Sequence, residues 1–170
     1  MWCIGISNPA TLCWILISQR KLGDFGLARL QDHGQPLKTT SFAGTRAYMA
    51  PEYLTSKVAT KESDVYSFGI VALEIACGRR PDVDETGKSK ILEWVWELYG
   101  ERKVIEAADQ KLSGAFNEEE MRRLMVVGLS CAHPDPRDRA SIQTAIDVLD
   151  FKTPLPNLPL KMPVATFRPT

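Results

Sequence analysis

The sequence has few of the residues from which disulfide frameworks and zinc sites are built. Its 170 residues include two histidines, His33 and His133, and four cysteines, Cys3, Cys13, Cys77 and Cys131. Because no two cysteines form a C-x-x-C pair, the pattern favours neither a disulfide framework nor a zinc site. Unpaired cysteines are typical of a reducing environment, so we expect a cytosolic chain.

The sequence also lacks an excess of charge and a long apolar run. Lys plus Arg and Asp plus Glu number 21 each, and the net charge is zero. A nucleic-acid partner is normally met by a basic excess, so none is expected. No apolar run reaches the roughly 20 residues that span a bilayer. The apolar residues 12–17 lack the flanks of a secretory signal, and we expect no membrane contact by this chain itself.

Three regions of different composition follow one another. Residues 1–20 carry one charge, residues 21–152 combine charges with helical apolar patterns, and residues 153–170 hold five of the eleven prolines. Proline lacks a backbone donor and has a fixed φ, which excludes helix and central strand from the last region. Residues 21–152 are therefore the candidate domain, and 153–170 are predicted to form an extended, mobile tail.

Helical periodicity predicts a mostly α domain. The first helix begins at Thr60, is apolar on nearly every face up to Cys77 and stops at Gly78, as a buried central helix does. Similar patterns predict surrounding helices over residues 91–100, 117–132 and 141–149. Residues 24–49 show no period and are predicted to be a long loop. Small β elements near residues 21–22 are compatible with the pattern.

The first motif with a chemical interpretation is D-F-G at residues 24–26. A carboxylate on a turn beside a glycine can hold Mg²⁺ against nucleotide phosphates, but the tripeptide alone also fits a surface turn. A-P-E follows at residues 50–52, and D-V-Y-S-F-G at 64–69 opens the buried helix. Hydroxyls lie between the first two motifs, at Thr39, Thr40, Ser41 and Thr45. The ordered set is far more specific than any one part.

These motifs resemble the C-terminal lobe of a eukaryotic protein kinase over about residues 21–151. The strings Y-M-A-P-E-Y-L at 48–54, A-L-E-I-A-C-G-R-R-P at 72–81 and E-W-V-W-E-L-Y-G at 93–100 are similar to plant receptor-like kinases with an extracellular legume-lectin (L-type) domain. The resemblance implies a serine/threonine kinase that uses ATP and Mg²⁺ on a protein substrate. It also implies a plasma-membrane parent with a cytosolic kinase domain.

The resemblance implies a role for individual residues around the nucleotide. Asp24 would ligate Mg²⁺, Phe25 would pack beneath the site, and Gly26 would let the backbone pivot. Thr45 would face the substrate hydroxyl. A phosphate can order a loop by pairing with arginine, and the implied phosphorylation candidates are Thr39, Thr40 and Ser41. A solvated polar loop is the alternative for these three hydroxyls.

Other implied roles are structural. Glu52 and Arg139 would form an ion pair beneath the activation segment, against the alternative of a solvent-facing carboxylate. Asp64 would accept backbone hydrogen bonds from the catalytic loop, or it is a first-turn carboxylate favoured by the helix dipole. Trp94 and Trp96 are interpreted as packing side chains. The two histidines are interpreted as surface or capping residues.

Several parts of the kinase machinery have no counterpart in the 170 residues. Phosphoryl transfer of this type uses a glycine-rich loop, a phosphate-binding lysine held by a glutamate, and H-R-D-x-x-x-x-N before D-F-G. The sequence contains neither G-x-G-x-x-G nor H-R-D. We therefore expect a partial kinase domain over residues 21–152 that is inactive as written, with an absent N-terminal lobe as its natural packing partner. The alternative is a non-catalytic binding module, or the product of a pseudogene or of an erroneous gene model.

Residues 1–20 are interpreted as an out-of-frame segment or a disordered leader. Back-translation from the third base of the Met1 codon gives valine twice, because Met1 and Trp2 have single codons. One permitted continuation reads V-V-H-R-D-I-K-S-S-N-V-M-L-D-S-D-F-S-A and rejoins the present frame at Lys21. That string has the H-R-D and downstream asparagine that the family motif requires.

Overall fold

The described part of the chain is mostly helical. The computed structural model describes residues 2–3, 12–14, 20–22, 29–30, 37–38, 45–85 and 87–164. Its α-helices are α1 (Pro51–Ser56), α2 (Lys61–Cys77), α3 (Lys90–Gly100), α4 (Glu118–Cys131) and α5 (Ile142–Leu149). The predicted mostly α fold class with a central helix is confirmed.

The helix ends lie where the sequence signals predicted them. Thr60 and Ser63 form a reciprocal capping box at the start of α2, and Gly78 adopts a left-handed φ of 62° at its end. The Asn117 side chain accepts hydrogen bonds from the first turn of α4, and the Ser141 side chain does the same for α5. Each cap satisfies backbone N–H groups that have no partner inside the helix.

Helix α2 forms the centre of the core, and α4 crosses it at backbone contact. Ile70, Leu73 and Ala76 of α2 are fully buried. A Cβ atom added at Gly69 would lie 2.6 Å from the backbone nitrogen of Ala132 and 2.7 Å from the carbonyl oxygen of Gly128. The absence of a side chain at Gly69 therefore sets the distance between the two helices.

Short strands lie near residues 21–22, where the sequence pattern allowed small β elements, and also in parts of the chain that the sequence did not assign. Three antiparallel pairs join β1 (Trp2–Cys3) to β4 (Arg29–Leu30), β2 (Leu12–Trp14) to β3 (Arg20–Leu22), and β5 (Leu37–Lys38) to β6 (Val58–Ala59). The prediction of one loop over residues 24–49 was wrong, because β4, β5 and a 3-10 turn lie within it. Elements of two or three residues are too short to produce a recognisable period.

The proline-rich tail packs against the helices. Residues 153–164 contain neither helix nor strand, as predicted. However, Leu158 and Met162 contact the main apolar core, so this part of the tail is docked and not free. Within the described residues, no helix has the length and apolar character needed to cross a membrane.

Candidate functional site

A tight turn and a short helix position the residues between Thr45 and Glu52. The 3-10 turn Arg46–Tyr48 follows Thr45, whose carbonyl oxygen accepts a 3.1 Å hydrogen bond from the Tyr48 N–H. Thr45 itself is exposed. Its side chain is therefore accessible to solvent, and the predicted substrate-facing role of Thr45 stays a prediction.

Tyr48 fixes this turn to the central helix at two points. Its carbonyl oxygen accepts a 2.7 Å hydrogen bond from the buried Ser67 hydroxyl. Its phenol donates a 2.7 Å hydrogen bond to Oε2 of Glu74. Burial raises the pKa of Tyr48 above its ordinary value of 10.0, and the hydrogen bond to Glu74 raises this pKa further. Both anchors escaped sequence analysis, since no local pattern links Tyr48 to residues 19 and 26 positions away.

Helix α1 carries Glu52 into the interior. Pro51 occupies the first helical position, where its missing N–H costs nothing. Glu52 follows in the first turn and is 6% exposed. A charge buried to this degree needs a partner of opposite sign.

Arg139 is that partner. Its Nη1 and Nη2 atoms donate to the two carboxylate oxygens of Glu52 at 2.5 and 2.8 Å. The arginine side chain is 1% exposed and the glutamate side chain 7% exposed. The structure therefore contains the buried ion pair that the sequence resemblance implied, and the solvent-facing alternative for Glu52 is excluded.

The remaining donors of Arg139 are also used. Nε donates to the carbonyl oxygen of His133 at 2.7 Å, and Nη1 donates to that of Glu62 at 3.0 Å. Nη2 has a longer contact of 3.3 Å with the carbonyl oxygen of Pro134. A guanidinium has five N–H donors, and each finds an acceptor here. One side chain thereby joins α1, the first turn of α2 and the connection between α4 and α5.

The ring of Tyr66 lies beside this pair. The central carbon of the Arg139 guanidinium is 5.0 Å from the ring centroid, which is a cation–π distance. Burial raises the pKa of Tyr66 well above its ordinary 10.0, the charge of Glu52 adds to the rise, and Arg139 opposes it. Tyr66 is therefore neutral at physiological pH.

His133 corrects part of the sequence interpretation. It is 5% exposed and packs edge-on against Trp96, with ring centroids 5.8 Å apart. The expectation of a surface histidine was wrong, because a lone histidine in sequence carries no signal of burial. His133 caps neither neighbouring helix, and its Nδ1 accepts a 3.2 Å hydrogen bond from the Asp135 N–H in the turn that follows α4.

The two tryptophans lie in packing positions. Trp96 is fully buried. The guanidinium carbon of Arg79 lies 4.2 Å from the ring centroid of Trp94, a second cation–π contact. Neither ring lines a site of metal-ligating side chains, since the described residues contain no group of three or more His, Cys, Asp or Glu able to hold a metal ion.

The remaining predicted residues fall into two groups. Asp64 lies in the first turn of α2, half-buried, and its N–H donates to the Thr60 carbonyl oxygen at 3.2 Å. That position agrees with the first-turn interpretation and does not test the catalytic-loop one. The other group lies outside the described residues: Asp24, Phe25, Gly26, His33, Thr39, Thr40 and Ser41. The proposed Mg²⁺ ligand and phosphorylation sites therefore stay predictions.

Comparison with known proteins gives a consistent result. A family model described as "Protein kinase domain" matches residues 14–149, beginning seven residues before the boundary predicted from composition. The chain is 53% identical over 152 residues to the L-type lectin-domain containing receptor kinase IX.1 of Arabidopsis thaliana, and 50% identical over 149 residues to the S.7 receptor kinase of rice, Oryza sativa subsp. japonica. These alignments cover 86% and 88% of this chain, but 23% and 21% of the relatives' own lengths.

A solved structure supports the same fold. The pseudokinase domain of BIR2, described as an immune regulator of the RLK/Pelle family, superposes with a TM-score of 0.55 and 31% sequence identity. The superposition covers 64% of this chain and 33% of that one. The helical arrangement around α2 is thus one already known in solved structures.

Proposed function

The chain belongs to the protein kinase domain family, and we propose that residues 21–152 form the substrate-side part of a receptor-like protein serine/threonine kinase. The family reaction is ATP-dependent phosphoryl transfer to protein hydroxyls. The observation that carries the proposal is the buried pair of Glu52 and Arg139, which ties the segment after Thr45 to the connection between α4 and α5.

This arrangement is suited to holding a protein substrate. The segment 45–52 is fixed by Ser67, by Glu74 and, through Glu52, by Arg139. A surface that is rigid before binding lowers the entropy lost when a substrate hydroxyl is oriented for reaction. Thr45 lies at the exposed start of this segment and is the residue that faces the hydroxyl.

We propose that these 170 residues do not catalyse the reaction by themselves. Asp24 would hold Mg²⁺, and bound Mg·ATP supplies the phosphoryl group. Stabilising the transferring group also takes a phosphate lysine, a second metal ligand and a catalytic aspartate, which the family motifs provide. The sequence holds none of these motifs, so electrostatic stabilisation is lost from several directions.

Labelled ATP tests the proposal directly. The purified chain, with Mg²⁺ and a generic protein substrate, is expected to transfer no phosphate above the background of a matched Asp24→Asn chain. A parallel titration measures Mg·ATP binding, for which we expect no saturation. Transfer that Asp24→Asn abolishes would overturn the proposed inactivity while supporting the kinase assignment.

A second candidate is a non-catalytic binding module. It is favoured by the likeness to a solved pseudokinase domain, which is described as an immune regulator. Mg·ATP separates the candidates: a kinase piece gains affinity for it when the segments carrying the missing motifs are joined to the chain, whereas a binding module does not. The plasma-membrane parent with a cytosolic kinase domain belongs to the first candidate.

We also propose the domain division 1–20, 21–152 and 153–170, with residues 153–164 of the tail as a docked extension of the lobe. Residues 1–20 are proposed to be out of frame, and the nucleotide test of that interpretation is given below.

A further inference from the structure

The start of α3 lacks the side-chain cap that the other long helices have. Each of α2, α4 and α5 begins after a residue whose side chain accepts hydrogen bonds from the first turn: Thr60, Asn117 and Ser141. Ser89 holds this position before α3, but its side chain makes no capping hydrogen bond. Ser89 is 4% exposed, and its hydroxyl has no hydrogen-bond partner in the described part of the chain. A buried unpaired hydroxyl costs free energy, so a ligand that supplies a partner is bound favourably.

Two backbone donors beside Ser89 are also unused. The N–H of Lys90 donates to a carbonyl oxygen of the preceding loop, and that of Glu93 donates to the carbonyl oxygen of Ser89 at 3.1 Å. The N–H groups of Ile91 and Leu92 lie between these two and find no acceptor among the described residues. The start of α3 therefore offers three unused donors, one from a side chain and two from the backbone.

This end of α3 borders a cavity of about 960 Å³, which lies between α1, α3 and tail residues 160–164 and is lined by Ser89 and Leu92. Tyr66 of α2 lines the same cavity. Tyr66 is 3% exposed, and its hydroxyl makes no hydrogen bond within the described residues. The other walls are mainly apolar and include Leu54, Trp96 and Met162. A concave, mostly apolar space with a few polar groups is the usual form of a small-molecule site.

The tail is fixed as one wall of this cavity. The indole Nε1 of Trp96 donates a 2.9 Å hydrogen bond to the carbonyl oxygen of Pro159. The Leu158 N–H donates to the Tyr99 hydroxyl oxygen at 3.2 Å, and both Leu158 and Met162 pack against the apolar core. The cavity is therefore formed before a ligand enters, which lowers the entropy lost on binding.

The charges around the cavity favour an acceptor at the start of α3. A helix N-terminus carries a partial positive charge and attracts anions. Lys88, just before the helix, and Lys161 of the tail are exposed on the cavity wall. Oε1 of Glu93 lies 3.9 Å from Nζ of Lys88. The other two glutamates of the wall, Glu97 and Glu101, lie about one and two turns further along α3. The first turn is therefore the end at which a carboxylate is favoured.

We propose that this cavity binds a small molecule that has one carboxylate and an apolar body. The carboxylate accepts hydrogen bonds from the Ser89 hydroxyl and from the N–H groups of Ile91 and Leu92. Rotation about its Cα–Cβ bond turns the Ser89 hydroxyl toward the ligand. The apolar body lies against the remaining walls, with the Tyr66 hydroxyl as a further donor. The site is separate from phosphoryl transfer, since none of these residues has a proposed role at Mg²⁺ or at the substrate hydroxyl.

Two carboxylates of different shape test the proposal, decanoate with a linear body and 2-naphthoate with an aromatic one. Isothermal titration of the purified 170-residue chain, below the concentration at which decanoate forms micelles, should show saturable 1:1 binding of at least one of them. The alcohol with the same body should bind at least about tenfold more weakly, because it lacks the charge that strengthens the hydrogen bonds. Absence of saturable binding by both acids, or equal binding of acid and alcohol, would overturn the proposal.

Two serine variants at equivalent helix positions separate ligand binding from helix capping. Ser89→Ala should weaken binding of the acid by about three- to tenfold and leave the midpoint of thermal unfolding of the free chain unchanged. Ser141→Ala is the matched control: its hydroxyl accepts a 3.0 Å hydrogen bond from the Thr144 N–H, so it should unfold at a lower temperature and bind as wild type. Tyr66→Phe keeps the ring beside Arg139 and should weaken binding by a factor similar to that of Ser89→Ala.

The serine comparison also gives the opposing outcome. A Ser89→Ala chain that unfolds at a lower temperature, as Ser141→Ala does, and still binds as wild type would show that the Ser89 hydroxyl is a helix cap. That result would contradict the proposed site.

Backbone amide chemical shifts locate the carboxylate in the unmodified chain. The amide resonances of Ile91 and Leu92 should shift as the acid is added and should saturate at the affinity measured by titration. The amides of Glu119 and Glu120 serve as controls, since they donate to Oδ1 of Asn117 at 2.9 and 3.1 Å and should not shift. Saturable binding that leaves the Ile91 and Leu92 resonances in place would exclude the start of α3 as the carboxylate site.

Discussion

Arg139 binds both carboxylate oxygens of Glu52, although 87 positions separate the two residues in sequence. The contact joins the helix that follows the activation segment to the chain that leads into α5. Its two charges are buried, so water solvates neither of them and each depends on the other. Movement of α1 away from the lobe therefore requires that the pair separate or that water enter.

The first prediction concerns this pair. Arg139→Ala should lower the free energy of unfolding by about 3 to 5 kcal/mol, because Glu52 is left as an unpaired buried carboxylate. Arg139→Lys should recover only part of the loss, since an ammonium cannot reproduce the planar fork of donors. Urea denaturation monitored by tryptophan fluorescence measures the free energy of unfolding of both variants and of wild type.

Lys103→Ala is the matched control. It removes an ion pair with Glu101 whose side chains are 54% and 51% exposed, and solvent screening leaves such pairs with little effect on stability. An equal loss for the Lys103 and Arg139 variants would contradict the proposed importance of burial.

Local sequence signals predicted the longer helices, but they did not predict the long-range contacts. Thr60 and Gly78 act on their own neighbours, so a reader of the sequence can place α2 nearly to the residue. The contact of Tyr48 with Glu74 and that of Trp96 with Pro159 depend on how distant elements meet, and no local pattern reports this. The pair of Glu52 and Arg139 was accessible only through resemblance. Helix α1 was missed because six residues are too few to establish a period.

The second prediction is for the anchor between Tyr48 and α2. Tyr48→Phe keeps the ring and removes the hydroxyl that donates to Glu74. Glu74 is half-buried, so water replaces part of the lost contact, and we expect a loss of about 0.5 to 1.5 kcal/mol. Glu74→Gln should cost less than Glu74→Ala, because an amide oxygen still accepts the bond. Thermal denaturation of the three variants and of the wild-type chain measures this order. If Tyr48→Phe were as stable as wild type, the hydrogen bond would contribute nothing to stability.

The third prediction follows from two buried thiols. Burial raises the pKa of Cys77 and of Cys131 to about 12, against an ordinary value of 9.0. Above pH 9.0 the unfolded chain loses these protons while the folded chain keeps them. Stability should therefore fall as the pH rises from 9 toward 12, by up to about 1.4 kcal/mol per pH unit and thiol.

Urea denaturation between pH 9 and 10 measures this fall, to which Tyr48 and Tyr66 also contribute because burial raises their pKa above the ordinary 10.0. Removing one thiol at a time isolates its share. The Cys77→Ala and Cys131→Ala variants should show a shallower fall with pH than wild type, whatever their stability at pH 7. A slope unchanged by both substitutions would mean that neither thiol is protected from ionisation in the folded state.

The fourth prediction compares two glycines at the crossing of α2 and α4. Gly69→Ala would place a methyl against backbone atoms of Ala132 and Gly128, which cannot move without shifting a helix. Gly128→Ala would place one 2.7 Å from Cδ2 and 2.9 Å from Cγ of Leu73, a fully buried side chain that must repack, and 3.2 Å from the carbonyl oxygen of Gly69. Alanine gains about 1 kcal/mol of helix propensity at either position. We expect Gly69→Ala to be the more destabilising, by about 1 to 3 kcal/mol relative to Gly128→Ala. Calorimetry that ranks them in the opposite order would show that the backbones separate easily.

The last prediction concerns the coding of residues 1–20. Read from the third base of the Met1 codon, the nucleotide sequence should spell H-R-D with an asparagine five positions after its aspartate, and one surplus base should restore the present frame at Lys21. The family match that begins at residue 14 includes part of the segment proposed to be out of frame, so the nucleotide sequence has to decide between the two frames. A genuine leader gives no reason why H-R-D and its asparagine should be encodable at the required spacing. Sequencing the transcript through codon 21 is the measurement, and a shifted frame without H-R-D and its asparagine would exclude the hypothesis. If the string is present, removing the surplus base restores the catalytic aspartate and the second metal ligand, and Asp64 then has the loop amides that the family pairs with it.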